Sequence, residues 1–173
     1  MMESKTAPTS RERVPYEAIG QRRPFVLPGK ARVAVWTIVN LENWLPENAM
    51  PRTVLPPPMG QALLPDVPNW CWHEYGMRVG YWRILQTLQE RNIKATLALN
   101  GTVCTEYAAA CEAALKAGWE FMGHGLVQKP MHRVEDQLAE IRQTMEAIRQ
   151  FTGKAPRGLS LIHISEPTRQ AEI

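Results

Sequence analysis

Five side chains able to trade protons or hold a polar ligand stand at or just after the ends of apolar runs: Asn40, Glu42 and Asn43 in "VNLENW", Asn100 in "ALNG", and His124 in "MGHG". A carboxylate and an imidazole are common partners for proton transfer near neutral pH. The stretch "EFMGHGLVQKPMH" (120–132) leaves three readings of His124 open: a metal ligand, a metal-free catalytic group, or a filler at a strand end. Taken singly, each asparagine reads as a loop residue satisfying nearby backbone groups. If the three apolar runs are neighbouring parallel strands, their carboxyl ends share one mouth, which is where ligands gather in such folds.

The elements that must do this positioning follow from the pattern of apolar residues. "ARVAVWTIVNL" (31–41) is β-branched and almost wholly apolar, as expected of a strand buried on both faces of a parallel sheet. From Glu42 to His73 runs a long connection with seven prolines, which predicts a non-helical loop. The aromatic group "NWCWHEYG" at its end suits a pocket wall. Val79, Trp82, Leu85 and Leu88 then recur at helical spacing, up to Arg91-Asn92. "ATLALNG" (95–101) is a second strand, and Tyr107, Cys111, Ala114 and Leu115 share a helical face closed by Gly118. "WEFMGHG" gives a third strand ending at His124, and Val134, Leu138, Ile141, Met145 and Ile148 mark a long amphipathic helix that stops before Gly153. Alternating strand and helix predicts an α/β fold, a parallel sheet or barrel with right-handed crossovers. Residues 1–30, interrupted by Pro15, Pro24 and Pro28, read as an irregular lead-in.

Composition narrows the function. The chain has 173 residues, 45% of them hydrophobic, and a formal net charge of +3 with its basic residues scattered, so the footprint of a nucleic-acid binder is missing. Cys71, Cys104 and Cys111 form no CxxC pair and their odd number cannot complete a disulfide framework, so they read as reduced thiols. No apolar stretch approaches a membrane span and the N-terminus has no signal-like apolar core, which points to a cytoplasmic protein without a membrane partner.

The element "EYGMRVGYWRIL" (74–85), the "GHG" after the third strand and the helix ending "MEAIRQFTGKAPRG" resemble the polysaccharide deacetylase (NodB-like) family. The likeness is strongest to its subgroup containing the metal-independent allantoinases, and covers about residues 31–158. It implies a partial (β/α) barrel, truncated after about three strand-helix units, and hydrolysis of a carbon-nitrogen bond other than a peptide bond. Metal-bearing members carry T-F-D-D-G after the first strand and H-[ST]-x-x-H after the third. Here Glu42 falls on the base position, Asn43 on the ligand aspartate and Gln128 on the second histidine. A set of His124 with neutral amides lacks the anionic ligand and second imidazole of such a site, so no tightly bound metal is expected and a weak divalent ion at His124 is the most it would hold. The resemblance thus implies that Glu42 and His124 are catalytic, with Glu42 a base acting on water and His124 exchanging protons with substrate. It also raises Glu74 and Arg78, otherwise a plain surface pair at i,i+4, to supporters of the site, where Arg78 could hold an anionic or ureido group. Asn40, Asn43 and Asn100 complete the expected substrate contacts. The implied partner is a small molecule, an N-acetylated sugar or a ureide, and the full-length parent is open to homo-oligomerisation.

"LSLIHISEPTRQAEI" (159–173) matches one frame of a transposase sequencing adapter, codon for codon from Leu159 to Arg169. It is expected to be an artefactual tail after a domain ending at residue 158. His163, Glu166 and Arg169 are therefore set aside as site residues, and the third strand is expected to leave an open edge. Two functions remain: the front part of a hydrolase, inactive as truncated, or a degenerate module that binds a carbohydrate or ureide without cleaving it.

Overall fold

A computed structural model describes residues 14–51, 53–57, 60–130 and 133–160. The chain separates into two compact units, residues 1–35 and 36–173. The described part of the first carries two single-turn 3₁₀ helices, Ile19–Gln21 and Pro28–Lys30.

The second unit holds a three-stranded parallel sheet in the order β1 (Ile38–Leu41), β2 (Thr96–Leu99), β3 (Glu120–Gly123). Its helices are α1 (Val67–Tyr75), α2 (Tyr81–Glu90), α3 (Val103–Glu106), α4 (Ala108–Lys116) and α5 (Gln137–Thr152). This is the predicted α/β arrangement of a partial barrel. The register is in step across the sheet: Leu41, Leu99 and Gly123 lie side by side, so the residues that follow them emerge at one level. β2 is buried along its whole length, as the middle strand must be. Leu97, Leu99, Val103, Cys111 and Tyr81 form the centre of the core, where the Tyr81 hydroxyl donates to the Ala110 carbonyl at 2.7 Å.

Four expectations change. The first strand is shorter than 31–41, because the ladder with β2 begins at Ile38, just after the Thr37 carbonyl that accepts from the Thr96 N–H at 2.9 Å. The connection after Glu42 does contain a helix, α1, despite Pro68. That proline stands in the first turn, where a missing N–H costs nothing, and Asp66 caps the helix by accepting from the Asn69 N–H. A π turn over Gly76–Gly80 separates α1 from α2 and shifts the buried face, so Met77, Tyr81 and Leu85 point inward while Trp82, expected in the core, is exposed. Helix α5 keeps Ile148 of its predicted stripe in the core but is otherwise turned: Glu140 and Thr144 are buried beside it, whereas Leu138 and Met145 are exposed. Leu115 is likewise exposed on α4.

The edge of β3 is not fully open. Leu159 bridges Gly123 in parallel, Gly123 N–H donates to the Gly158 carbonyl at 3.0 Å, and Ser160 N–H donates to Gly123 at 2.8 Å. An unpaired strand edge takes whatever backbone can reach it. A Cβ on Gly123 would meet Leu159 Cδ1 at 2.8 Å and Thr144 Cγ2 at 3.1 Å, so a larger residue there requires those side-chain ends to shift. Residues 161–173, with the remainder of the expected tail and His163, Glu166 and Arg169, lie outside the described residues.

Candidate active site

The three strand ends meet as their register requires. Glu42 stands one residue past β1 and His124 one residue past β3, and His124 Nε2 lies 3.4 Å from Glu42 Oε1. The imidazole is 2% exposed and the carboxylate 25%. The pair is within electrostatic range without hydrogen-bond alignment, and both ring nitrogens of His124 are buried without a hydrogen-bond partner among the described residues. The other carboxylate oxygen, Oε2, accepts from the Trp44 indole at 3.0 Å, which fixes the direction of Oε1. Trp44 in turn packs at 5.5 Å between ring centroids on His73.

Burial pushes the Glu42 carboxyl up, but the contacts from His124 and the Trp44 indole, with the charges of His124 and His73, outweigh it and hold its pKa below the ordinary value. Glu42 is thus a carboxylate across the neutral range. Because its folded pKa is depressed, the stabilisation it brings is present above the unfolded value, about 4.3, and disappears as pH falls through the lower folded value. Acid titration of stability should therefore be shallower in Glu42→Gln than in the wild type below about pH 5. Denaturation midpoints measured across that window check it; parallel curves would refute the linkage.

Asn40, Glu42, Trp44, His73, Met77 and Tyr81 help line a cavity of about 300 Å³ between β1 and the α1–α2 segment. Asn40 is exposed beside it. Asn43 and Asn100, expected to touch substrate, are instead buried and committed to the chain. Asn100 Oδ1 accepts from the Asn43 N–H at 2.7 Å, and its Nδ2 donates to the His124 carbonyl at 2.6 Å and to Gln128 Oε1 at 3.0 Å. Asn43 Nδ2 donates to Thr102 Oγ1 at 2.9 Å and Glu106 Oε2 at 2.8 Å. Their role in this geometry is to lock the strand ends together, the backbone-satisfying function that a single asparagine suggests.

Glu74 and Arg78 do form their pair, with Arg78 Nε donating to Glu74 Oε2 at 2.7 Å, and the Tyr107 hydroxyl donates to Glu74 Oε1. Glu74 is buried while the Arg78 side chain is 70% exposed. Neither lines the cavity beside Glu42. Burial and then Glu74 push the Tyr107 phenol above its usual range. Removing that hydroxyl leaves a buried carboxylate with one partner fewer, so Tyr107→Phe should cost about 1.5–3 kcal/mol. Urea denaturation reads the difference, and a change below about 0.5 kcal/mol would argue against the bond.

Trp44, His73, Thr102 and Tyr107 join the site without having been nominated from the sequence. The aromatic cluster "NWCWHEYG" signals His73 and Trp44 reaches Glu42 from two residues away, whereas Thr102 and Tyr107 depend on contacts between distant segments that no local spacing announces.

A zinc-type ion needs imidazole, thiolate or carboxylate donors. The two candidate amides are otherwise engaged: Asn43 Nδ2 faces Thr102 and Glu106, and Gln128 Oε1 accepts from Asn100. No group of three or more His, Cys, Asp or Glu among the described residues is placed to hold a metal, and His132 lies outside them. The described donor set does not fit such an ion. No helix among the described residues is long and apolar enough to cross a membrane.

Comparison with known proteins sharpens the picture. A family model for polysaccharide deacetylase matches residues 71–162, just over half of the chain. Among curated proteins no sequence gives a significant match. Two solved structures share the fold: Puue allantoinase, with a TM-score of 0.71 at 22% identity, and a probable polysaccharide deacetylase from Pseudomonas aeruginosa PAO1, with 0.69 at 23%. Each alignment covers 90% of this chain and 56% of the other, so the chain spans little more than half the length of the structures it matches.

Proposed function

Because the chain belongs to the polysaccharide deacetylase family, we propose that it carries the catalytic pair of a hydrolase acting on a non-peptide carbon-nitrogen bond in a small amide or ureide. The observation that supports this reading best is the contact between Glu42 and His124 at the carboxyl rim of the sheet, 3.4 Å apart, with the carboxylate lining a cavity of about 300 Å³. A carboxylate held ionised, with one oxygen oriented by an indole, is suited to take a proton from water, whose oxygen then attacks the substrate carbonyl carbon. The tetrahedral intermediate collapses with breakage of the C–N bond, and the proton is passed through His124 to the departing nitrogen. Water and amide give a carboxyl group and an amine, with no oxidant and no metal-bound step. The buried setting of His124 limits exchange of that proton with bulk solvent.

A compact cyclic ureide or a single N-acetylated sugar is the substrate class this reading takes. The complete gene product, treated with chelator, should hydrolyse allantoin or N-acetylated sugars, followed by release of the carboxylate product. Binding of these compounds without turnover under any metal condition would replace the hydrolase by a recognition module.

A further inference from the structure

Trp44 lines the cavity beside Glu42 and is buried at 8% exposure. Its indole N–H donates to Glu42 Oε2 at 3.0 Å, its carbonyl accepts from the Trp70 indole N–H at 2.8 Å, and its ring packs on His73 with 5.5 Å between centroids. Trp70 and His73 stand one turn apart on α1, so that helix grips Trp44 through its backbone and through its ring. Helix α1 is tied in turn to the connection that follows Trp44. Asp66 N–H donates to the Pro46 carbonyl at 2.8 Å, and Asn69 Oδ1 accepts from the Val54 and Leu55 N–H groups at 2.8 and 2.9 Å. The aromatic cluster "NWCWHEYG" and the proline-rich connection before it thus converge on one residue, and that residue holds the carboxylate.

An indole N–H can only donate, so the oxygen it meets is committed as an acceptor. The carboxylate is thereby stopped from turning about its last torsion, with Oε1 left 3.4 Å from His124 Nε2. The donor is also neutral. It favours the ionised carboxylate without placing a full positive charge against it, which a lysine or arginine would do at the expense of basicity. The titratable groups acting on Glu42 are His124, from the end of β3, and His73, from α1. We propose that Trp44 is a positioning residue for the hydrolysis: clamped by α1, its indole N–H sets which Glu42 oxygen meets the attacking water. This rests on the hydrolase reading above and adds the part that aims its base. Aim matters because a base displaced from the attack geometry loses rate even when its proton affinity is right.

The test is a double-mutant cycle in the complete gene product, with allantoin and N-acetylglucosamine as probes. Trp44→Phe keeps a ring for His73 and removes the N–H. Its kcat should fall about tenfold with KM within about threefold. The acid limb of its kcat/KM profile should move to higher pH, because the carboxylate loses a donor that favours its ionised form. In the Glu42→Gln background the same replacement should change the residual rate by less than about twofold, since no base remains to be aimed. Equal losses in both backgrounds, or an unmoved acid limb, would make Trp44 a packing residue and overturn the proposal while leaving the hydrolase intact. Turnover of neither probe by the wild type, or a wild-type rate in Glu42→Gln, would defeat the hydrolase reading and the proposal together. A second measurement needs no Trp44 variant to fold. In ¹⁵N-labelled wild type, one tryptophan indole resonance should follow the Glu42 carboxyl between about pH 6 and 3 and stay still in Glu42→Gln. If no indole resonance behaves so, the bond is absent and the proposal falls.

Discussion

Glu42→Gln in the complete gene product is expected to reduce turnover by about 10²–10⁴, the usual contribution of a positioned general base, while substrate affinity changes little. The glutamine preserves the size of the side chain and an oxygen able to accept from Trp44, which now donates to Glu42 Oε2 at 3.0 Å. What disappears is the capacity to take a proton from water. The replacement also removes a charge from beside His124 Nε2, so the pH dependence of the residual rate should shift with it. Steady-state rates across pH 5–9, with substrate binding measured separately, provide the check. Retention of more than about a tenth of the wild-type rate would remove Glu42 from the chemistry.

The largest effect on stability should come from Asn100→Asp. Asn100 is completely buried and uses both ends of its amide, accepting from Asn43 and donating to the His124 carbonyl and to Gln128. Aspartate retains the acceptor but turns the donor into an oxygen facing two other oxygens. Either the carboxyl stays protonated against its intrinsic pKa or a buried charge faces carbonyl dipoles, and both outcomes are expensive. A loss of about 2–4 kcal/mol is expected at pH 7, shrinking as the carboxyl is protonated in acid. Equilibrium denaturation at pH 7 and pH 5 distinguishes this from a simple packing defect, whose cost would be the same at both.

Much of the sheet could be read from residue order. β1 and β3 are short apolar runs that end at a polar residue or at Gly123-His124, and β2 runs straight into Asn100-Gly101. Period alone could place Glu42 and His124 at one rim. It could not tell a substrate contact from a brace, because Asn43 and Asn100 have the same chemistry in either role. The distinction comes from Thr102, Glu106 and Gln128, which approach from other segments. The three helices with an apolar period were legible in place, while α1 and the short α3 were not. Pro68 concealed α1 because a proline count ignores position within the turn, and the π turn at Gly76–Gly80 displaced the buried face by one residue, from Trp82 to Tyr81. Helix α5 defeated its apolar stripe for another reason: Glu140 faces inward to accept from the Leu126 N–H at 3.0 Å and lies 3.4 Å from Lys129 Nζ.

That inward glutamate has a consequence for how such a protein can change over generations. Residues 124–130 are moored to a helix through Glu140, so exchanging a side chain on α5 can move the segment that follows His124 without altering Glu42 or His124 themselves. Selectivity would then drift through anchorage, and variants with new preferences should be sought among substitutions at Glu140 and Lys129 as well as in the cavity wall.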